Sequence, residues 1–351
     1  MAKVKRNLFS RLSFAAAALI VSALLALSYL SVFINPSQGW LFSLFGLLYL
    51  PLAITTLLFF LWAVKRRSRV WIILSLMLIP SIPIAGRYVQ FRRGEMPEGE
   101  IKIVSYNVGR FALGDAPRAE NTDSVAAFLK GLDADVICLQ EFYLYNSDHT
   151  DSWLKNHFPN YYAEYYVLTG SAGRAGNVTL SKYPVSGKGK VSFENSTNMA
   201  LWTDIELPGG KFRIYNCHFE SYNISISHLL TSVREEEELK DTGRKMRRSI
   251  RQRPKQVEAV LKDIEASERK AVVLGDFNDT PLSYTYHRLS KGRKDSFVSS
   301  GKGFGATYRD FRPLLRIDYI LLPEGLNSCT HKTLKARFSD HYPIIVTCNE
   351  N

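Results

Sequence analysis

Between Arg11 and Lys65 the chain runs for 53 consecutive residues without a charged side chain. A stretch of that length constrains the fold more than any average does, because a bilayer core takes about 20 apolar residues per crossing helix. The run is interrupted only by the turn-like Asn35-Pro36-Ser37-Gln38-Gly39, so a helical hairpin is expected. Phe14 to Ile34 is 21 residues and Trp40 to Val64 is 25, and each suffices to cross a hydrocarbon core of about 30 Å. The alternative is a helix pair buried in a soluble core. A third uncharged run, Val70 to Gly86, has 17 residues and contains Pro80 and Pro83, which weakens it as a span. Two or three transmembrane helices are therefore expected before the soluble part, at about 14–34, 40–64 and 70–86.

Charge supports that division. Residues 1–94 hold eleven Lys or Arg and no Asp or Glu, leaving 34 basic against 33 acidic side chains for residues 95–351. The overall net charge of +12 thus belongs to the N-terminal quarter and is no argument for a nucleic-acid-binding domain. With three spans and a cytoplasmic N-terminus, eight basic residues (four up to Arg11, then Lys65, Arg66, Arg67 and Arg69) lie inside and three (Arg87, Arg92, Arg93) outside. That count places the rest of the chain outside the cytoplasm. A two-span hairpin, with the third run lying in the interface, would keep it cytoplasmic.

A linker rich in Gly, Pro and Glu, 94–100, opens the soluble part. Strand-like runs follow at Ile101–Asn107, Asp135–Leu139, Asn177–Ser181, Leu201–Glu206, Lys211–His218, Lys270–Leu274, Ile317–Leu322 and Ile344–Cys348. Amphipathic helices are expected at Ser124–Gly131, capped by Asn121 or Thr122, and at Gln256–Glu265. Helices alternating with strands point to layered sheets with functional groups at strand ends. Cys138 and Cys217 read as buried small hydrophobes, while Cys329 and Cys348 could pair only if the last two strands bring them together.

Polar residues mark where those strands stop: Ser105-Tyr106-Asn107, Leu139-Gln140-Glu141, Tyr215-Asn216-Cys217-His218, Gly275-Asp276-Phe277-Asn278-Asp279, Arg316-Ile317-Asp318-Tyr319 and Ser339-Asp340-His341-Tyr342-Pro343. Singly, each is an ordinary turn former or core residue. Together they form an oxygen-rich set with two histidines and no thiolate cluster, which suits a hard cation such as Mg²⁺ in phosphoester chemistry. No Gly-x-Ser-x-Gly elbow, P-loop or HExxH is present, against a serine hydrolase, an NTPase or a zincin.

In these six segments, in identity and order over residues 101–348, the chain resembles the endonuclease/exonuclease/phosphatase superfamily. The resemblance implies a four-layer α/β/β/α sandwich of the DNase I-like type over 101–351; the transmembrane anchor expected in 1–93 rests on the uncharged runs alone. It implies that Glu141 holds a divalent metal directly, Mg²⁺ or also Mn²⁺, with Asn107 acting through water or phosphate and Asp340 completing the site. It implies that Asp276 orients and deprotonates the attacking water and that Asn278 donates to the scissile phosphate. His341, oriented by Asp318, would face the phosphate in the transition state, and His218 would be the second histidine there. Developing charge on phosphoryl oxygens calls for such positioned donors, and an imidazole needs a carboxylate on its far nitrogen to fix its tautomer.

The substrate stays open. A lipid headgroup, a nucleic acid or an inositol phosphate would each fit a membrane-anchored phosphoesterase, an endonuclease at the membrane is the nearest alternative, and a non-catalytic binding module with a vestigial site is the third. Oligomeric state is not legible. Seven basic residues within Arg244–Lys255, after Glu235-Glu236-Glu237-Glu238, read either as an arm for a polyanion or anionic headgroups or as a solvated helix pairing its own charges. Phe142, Tyr143, Tyr145, Tyr161, Tyr162, Tyr165 and Tyr166 could line a groove, although core packing accounts for aromatics more often.

Overall fold

A computed structural model describes residues 2–91, 98–112, 118–144, 149–167, 175–222, 236–310 and 315–350. Most of the expected linker, Tyr145 and Glu235 lie outside the described residues. Two six-stranded sheets form the body. One has the order β10 (Arg293–Asp295), β12 (Asp318–Pro323), β9 (Lys270–Asp276), β8 (Gly210–His218), β7 (Met199–Leu207), β6 (Val185–Ser192). The other has the order β13 (Leu326–Thr333), β14 (Ile344–Glu350), β2 (Ile101–Asn107), β3 (Val136–Phe142), β5 (Gly176–Ser181), β4 (Tyr162–Val167). Each contains one parallel pair, β2–β3 and β8–β9. Parallel neighbours need a crossover, and helices α6 (Arg118–Leu132) and α8 (Glu236–Glu265) lie in those connections.

The sheets face each other through Ile101, Ile103, Val136, Ile344 and Val346 on one side and Ile214, Val272, Leu274, Ile320 and Leu322 on the other, all buried. The alternate residues of the same strands bury the outer faces. Val104, Ile137 and Leu139 pack against Val125 and Leu129 of α6 and Leu154 of α7 (Thr150–His157), and Tyr215, Val273 and Leu321 pack against Val257 and Val260 of α8. This period-two division yields the four-layer α/β/β/α sandwich.

Three local readings differ. α6 begins at Arg118, so Asn121 and Thr122 lie inside it rather than capping it. α8 is one helix of 30 residues, and the basic run lies in its middle, so of the two readings the structure has the helix rather than a separate arm. Cys329 and Cys348 are free: Ser328 is the register partner of Cys348, and Cys348 is buried in the core between the sheets.

The N-terminal residues are helical: α1 (Ala2–Leu30), α2 (Trp40–Leu47), α3 (Tyr49–Lys65), α4 (Val70–Leu78) and α5 (Ser81–Ala85). Ser10–Leu30 is the one helix among the described residues long and apolar enough to cross a membrane, and such a helix also suits a signal sequence. α2 and α3 pass that test only as a pair bent by 59°. The third run is split around Pro80 into helices of 9 and 5 residues, as a residue without an N–H dictates.

Candidate active site

The site forms where strands of both sheets end. β3 departs from its ladder between Leu139 and Phe142, and Glu141 adopts φ 49°. Asn278, just past β9, has φ 50°. Left-handed backbone at non-glycine residues is costly and collects at functional sites; here it accompanies two of the polar side chains that meet there.

Those side chains form one network. The Asn107 amide donates from Nδ2 to Glu141 Oε1 (3.2 Å) and to Asp276 Oδ2 (3.0 Å), while its Oδ1 accepts from Gly109 N at 3.0 Å. Asp276 also accepts from Asn278, through backbone N (2.8 Å) and Nδ2 (3.1 Å). His341 Nδ1 lies 3.2 and 3.0 Å from the two Asp318 oxygens, and Nε2 lies 3.7 Å from Asp276 Oδ2. His218 Nε2 stands 3.6 Å from Glu141 Oε1 and 3.8 Å from Asp276 Oδ2, buried and without a hydrogen-bond partner. Asp340 is set across the Gly109 turn: a Cβ on Gly109 would lie 3.3 Å from Asp340 Oδ1. Asn107, Glu141, His218, Asp276, Asn278, Asp318 and His341 are thus brought together, and Asp340 adjoins them.

The electrostatics follow from burial. Asp276 is pushed up to about 6, first by desolvation and then by Asp318, against the opposing pull of His341 and His218. For His341 burial works downward, but Asp318, Asp276 and Asp340 outweigh it and hold the imidazole well above its ordinary range. Glu141 would also rise on burial, yet His218, the Asn107 amide, His341 and Arg110 hold it below the usual carboxylate range.

Asp276, Asp318 and His341 place one ligand atom each within 4.8 Å of one another. Because His341 Nδ1 already sits at hydrogen-bond distance from Asp318, this trio reads as a carboxylate–imidazole–carboxylate relay. The residues that fit a hard cation are Glu141 and its neighbours: two carboxylates, Glu141 and Asp276, are bridged by a single amide, and an unpartnered imidazole nitrogen faces both. Oxygen donors without thiolate suit Mg²⁺ or Mn²⁺.

Several contributors escaped the sequence reading. Arg110 Nε approaches Glu141 Oε2 at 3.4 Å, and the Tyr308 ring meets His341 edge to face at 5.2 Å. Gln140 and Asn216, within the quoted segments but given no role there, join the sheets: Gln140 Nε2 donates to Asn216 Oδ1 (2.8 Å), and Asn216 Nδ2 to the Leu139 and Val178 carbonyls. Thr307 Oγ1 accepts from the Ile317 and Asp318 amides at 3.0 and 3.1 Å. Arg253, fully buried, pairs with Asp279 Oδ2 at 2.9 Å and stacks on Tyr222. The aromatic residues do not form one groove: Phe142 is core, Tyr161 and Tyr165 bond Ala134 O and Asp151, and Tyr162 is exposed.

A family model described as the Endonuclease/Exonuclease/phosphatase family matches residues 104–341. A second, described as a domain of unknown function (DUF8431), matches residues 10–88. Among solved structures, a functionally unknown conserved protein from Enterococcus faecalis V583 aligns with TM-score 0.55 at 18% identity, over 72% of this chain and all of that one. An endonuclease/exonuclease/phosphatase from Beutenbergia cavernae aligns with TM-score 0.53 at 17% identity, over 72% of each chain. The human Nocturnin catalytic domain with bound sulfate gives 0.54 at 14%, over 73% of this chain and 97% of that one. At these identities the likeness is one of fold. No curated protein sequence matches.

Proposed function

Because the chain belongs to the endonuclease/exonuclease/phosphatase family, we propose that it is a membrane-anchored, Mg²⁺-dependent phosphoesterase that hydrolyses a phosphodiester or phosphomonoester. The observation that carries this reading is the His341–Asp318 pair aimed at Asp276 beside the Asn107–Glu141 bond.

In this reading Asp276 takes the proton of the attacking water. Its raised pKa brings it nearer to neutrality, where a general base works best. His341, held protonated by Asp318, presents Nε2 to the developing charge on the phosphoryl oxygens. His218 Nε2, which has no partner of its own, and the Asn278 amide are further donors there. Glu141 holds the cation, with Asn107 orienting it and Asp340 in support; the bound metal supplies charge neutralisation on the phosphoryl group.

The anchor reading is supported by exposed apolar side chains on the N-terminal helices, among them Leu19, Ile20, Leu57, Leu58, Leu61 and Ile72. A surface of that kind calls for lipid or a partner. The helices run as an antiparallel set. Arg66 lies over the Phe14 ring at 5.3 Å at one end, and Ser31 meets Leu282 at the other. Positive charge at the first end therefore favours a cytoplasmic N-terminus, with residues 101–351 outside.

The test is turnover of bis-p-nitrophenyl phosphate by the full chain in detergent, with Mg²⁺ or EDTA. Activity should require the metal, and Glu141→Gln should raise the Mg²⁺ concentration needed while leaving thermal unfolding unchanged within a few degrees. Wild-type activity of Glu141→Gln at limiting Mg²⁺ would remove Glu141 from the metal site.

A further inference from the structure

The turn joining α1 to α2 is seated on the enzyme domain. Ser31 Oγ donates to Leu282 O at 3.1 Å and Phe33 meets His287 edge to face at 5.4 Å, and beside them Arg87, just past α5, donates from Nη1 to Pro281 O at 3.1 Å. A Cβ on Gly46 would stand 2.6 Å from Leu282 O, so α2 touches the same loop backbone to backbone. Leu282 itself is buried among Leu25, Val32, Tyr49 and Tyr88. It follows Asn278 by only four residues, so the contour from the active site to this seat is at most about 14 Å.

The basic run of α8 reaches the same place. Arg247 lies 5.5 Å over the Trp40 ring at the start of α2. Arg244, Arg247, Arg248, Arg251 and Lys255 are exposed at three- and four-residue spacing, which aligns them as one stripe. Val257 and Val260 turn the other face into the core. Asp241 pairs with Arg244 and Lys245, but among the described residues Arg247, Arg251 and Lys255 have no carboxylate partner. Around the hairpin's end Leu30, Phe33 and Leu41 expose apolar side chains. A basic stripe beside an apolar rim within reach of an active site is the chemistry of an anionic lipid surface. A nucleic acid would make no use of the rim, and residues 95–351 carry only one net positive charge.

We propose that the basic stripe of α8 and the hairpin's end form one surface that gathers anionic phospholipid headgroups of the chain's own bilayer and presents their phosphoester to the Asp276–His341 site. This rests on the phosphoesterase reading above and adds the substrate class to it. Hydrolysis is balanced with water as the only co-reactant: its oxygen bonds to phosphorus, the ester P–O bond breaks, and the proton surrendered by water ends on the leaving alcohol.

The experiment uses the full chain reconstituted in phosphatidylcholine vesicles doped with phosphatidylglycerol and phosphatidic acid. It compares wild type with the triple variant Arg247→Gln/Arg248→Gln/Arg251→Gln, whose unfolding midpoint is checked. Lipid headgroup release, plasmid nicking and turnover of bis-p-nitrophenyl phosphate are measured in the same preparations with Mg²⁺. The ratio of lipid to small-diester turnover should fall about tenfold or more in the triple variant at low salt, and the difference should shrink as salt is added. Small-diester turnover without any lipid hydrolysis would overturn the proposal, as would an unchanged ratio. Nicking of DNA that alone responds to the triple variant would overturn it in favour of a nucleic-acid surface. A wild type inert towards the small diester would instead bring down the phosphoesterase reading, and this inference with it.

Discussion

Arg316 lies within the signature segment Arg316-Ile317-Asp318-Tyr319, yet its guanidinium points away from the chemistry. It is sandwiched between the Phe297 and Tyr319 rings at 4.6 and 4.7 Å and donates to both oxygens of Asp295, at 2.8 and 2.6 Å. Its side chain is 1% exposed and that of Asp295 is 3%. Asp295 also accepts from Tyr286 Oη (2.8 Å) and the Phe297 amide (3.0 Å). Replacing Arg316 by Met keeps much of the stacked volume but leaves a buried carboxylate without its cation, a loss of about 3–5 kcal/mol. At roughly 2–4 °C per kcal/mol for a unit of this size, the unfolding midpoint should fall by about 6–20 °C.

The pH dependence has a definite sign. Burial pushes Asp295 up, but the charge and hydrogen bonds of Arg316 and the Tyr286 hydroxyl outweigh it and hold the carboxyl below its ordinary value of 3.8. A group depressed in the folded state contributes stability that is present above its unfolded pKa and is lost as pH falls through the folded one. The gap between wild type and Arg316→Met should therefore be widest near neutrality and close on acidification below about pH 4. Tryptophan fluorescence melts of the full chain in detergent across that range measure it. Midpoints within about 2 °C of each other at neutral pH, or a gap that widens in acid, would refute the reasoning.

Asp276→Asn and His341→Ala should each lower turnover of a small diester by roughly 10²-fold or more; a near-normal rate in either would take that residue out of the mechanism. Gly275→Ala should destabilise the fold by more than about 1 kcal/mol, because Gly275 has φ +123° and a Cβ there would stand 2.0 Å from Cys217 O on the neighbouring strand; an unchanged denaturant midpoint would mean that β8 and β9 tolerate separation. A reporter fused after Asn351 should be active outside the cytoplasm, and activity confined to the cytoplasm would favour the two-span hairpin.

The strand ends were legible because each apolar run is bounded, before or after, by a residue that a buried strand does not tolerate without a partner. Asn107, Glu141, Asp276 and His341 stand out for that reason, and the fold brings together what the order of segments implied. Arg110, Tyr308, Thr307 and Arg253 were not legible, since their contacts come from loops and a helix whose approach no local pattern encodes. The basic run was legible as charge and, in one of its two readings, as a solvated helix, but not as a helix with a buried face: Pro254 lies inside α8, where Ile250, Val257 and Val260 bury one face along its length and continue the helix through it. α4 and α5 show the opposite outcome, a proline that does divide the helix.

The segment from Asp276 to Leu282 joins tasks that the sequence presents separately. Its first residues carry the candidate base and the Asn278 amide. Asp279 then receives Arg253 from α8, and its carbonyl accepts from Tyr319 Oη at 2.8 Å. Pro281 and Leu282 take the hydrogen bonds of Arg87, just past α5, and Ser31, just past α1. Arg316 closes the circuit, because Nη1 also donates to Arg87 O at 3.1 Å while its own carbonyl accepts from Tyr319 Oη at 2.8 Å. Val89 and Gln90 add a short antiparallel pairing to Phe304 and Gly303. A tether needs none of these contacts. Since rotating the helical unit against the sandwich would break bonds on both sides of Asp279, the orientation of the active site relative to that unit is part of the fold, and disturbing the seat at Leu282 should reach the Asp276 loop before it reaches either sheet.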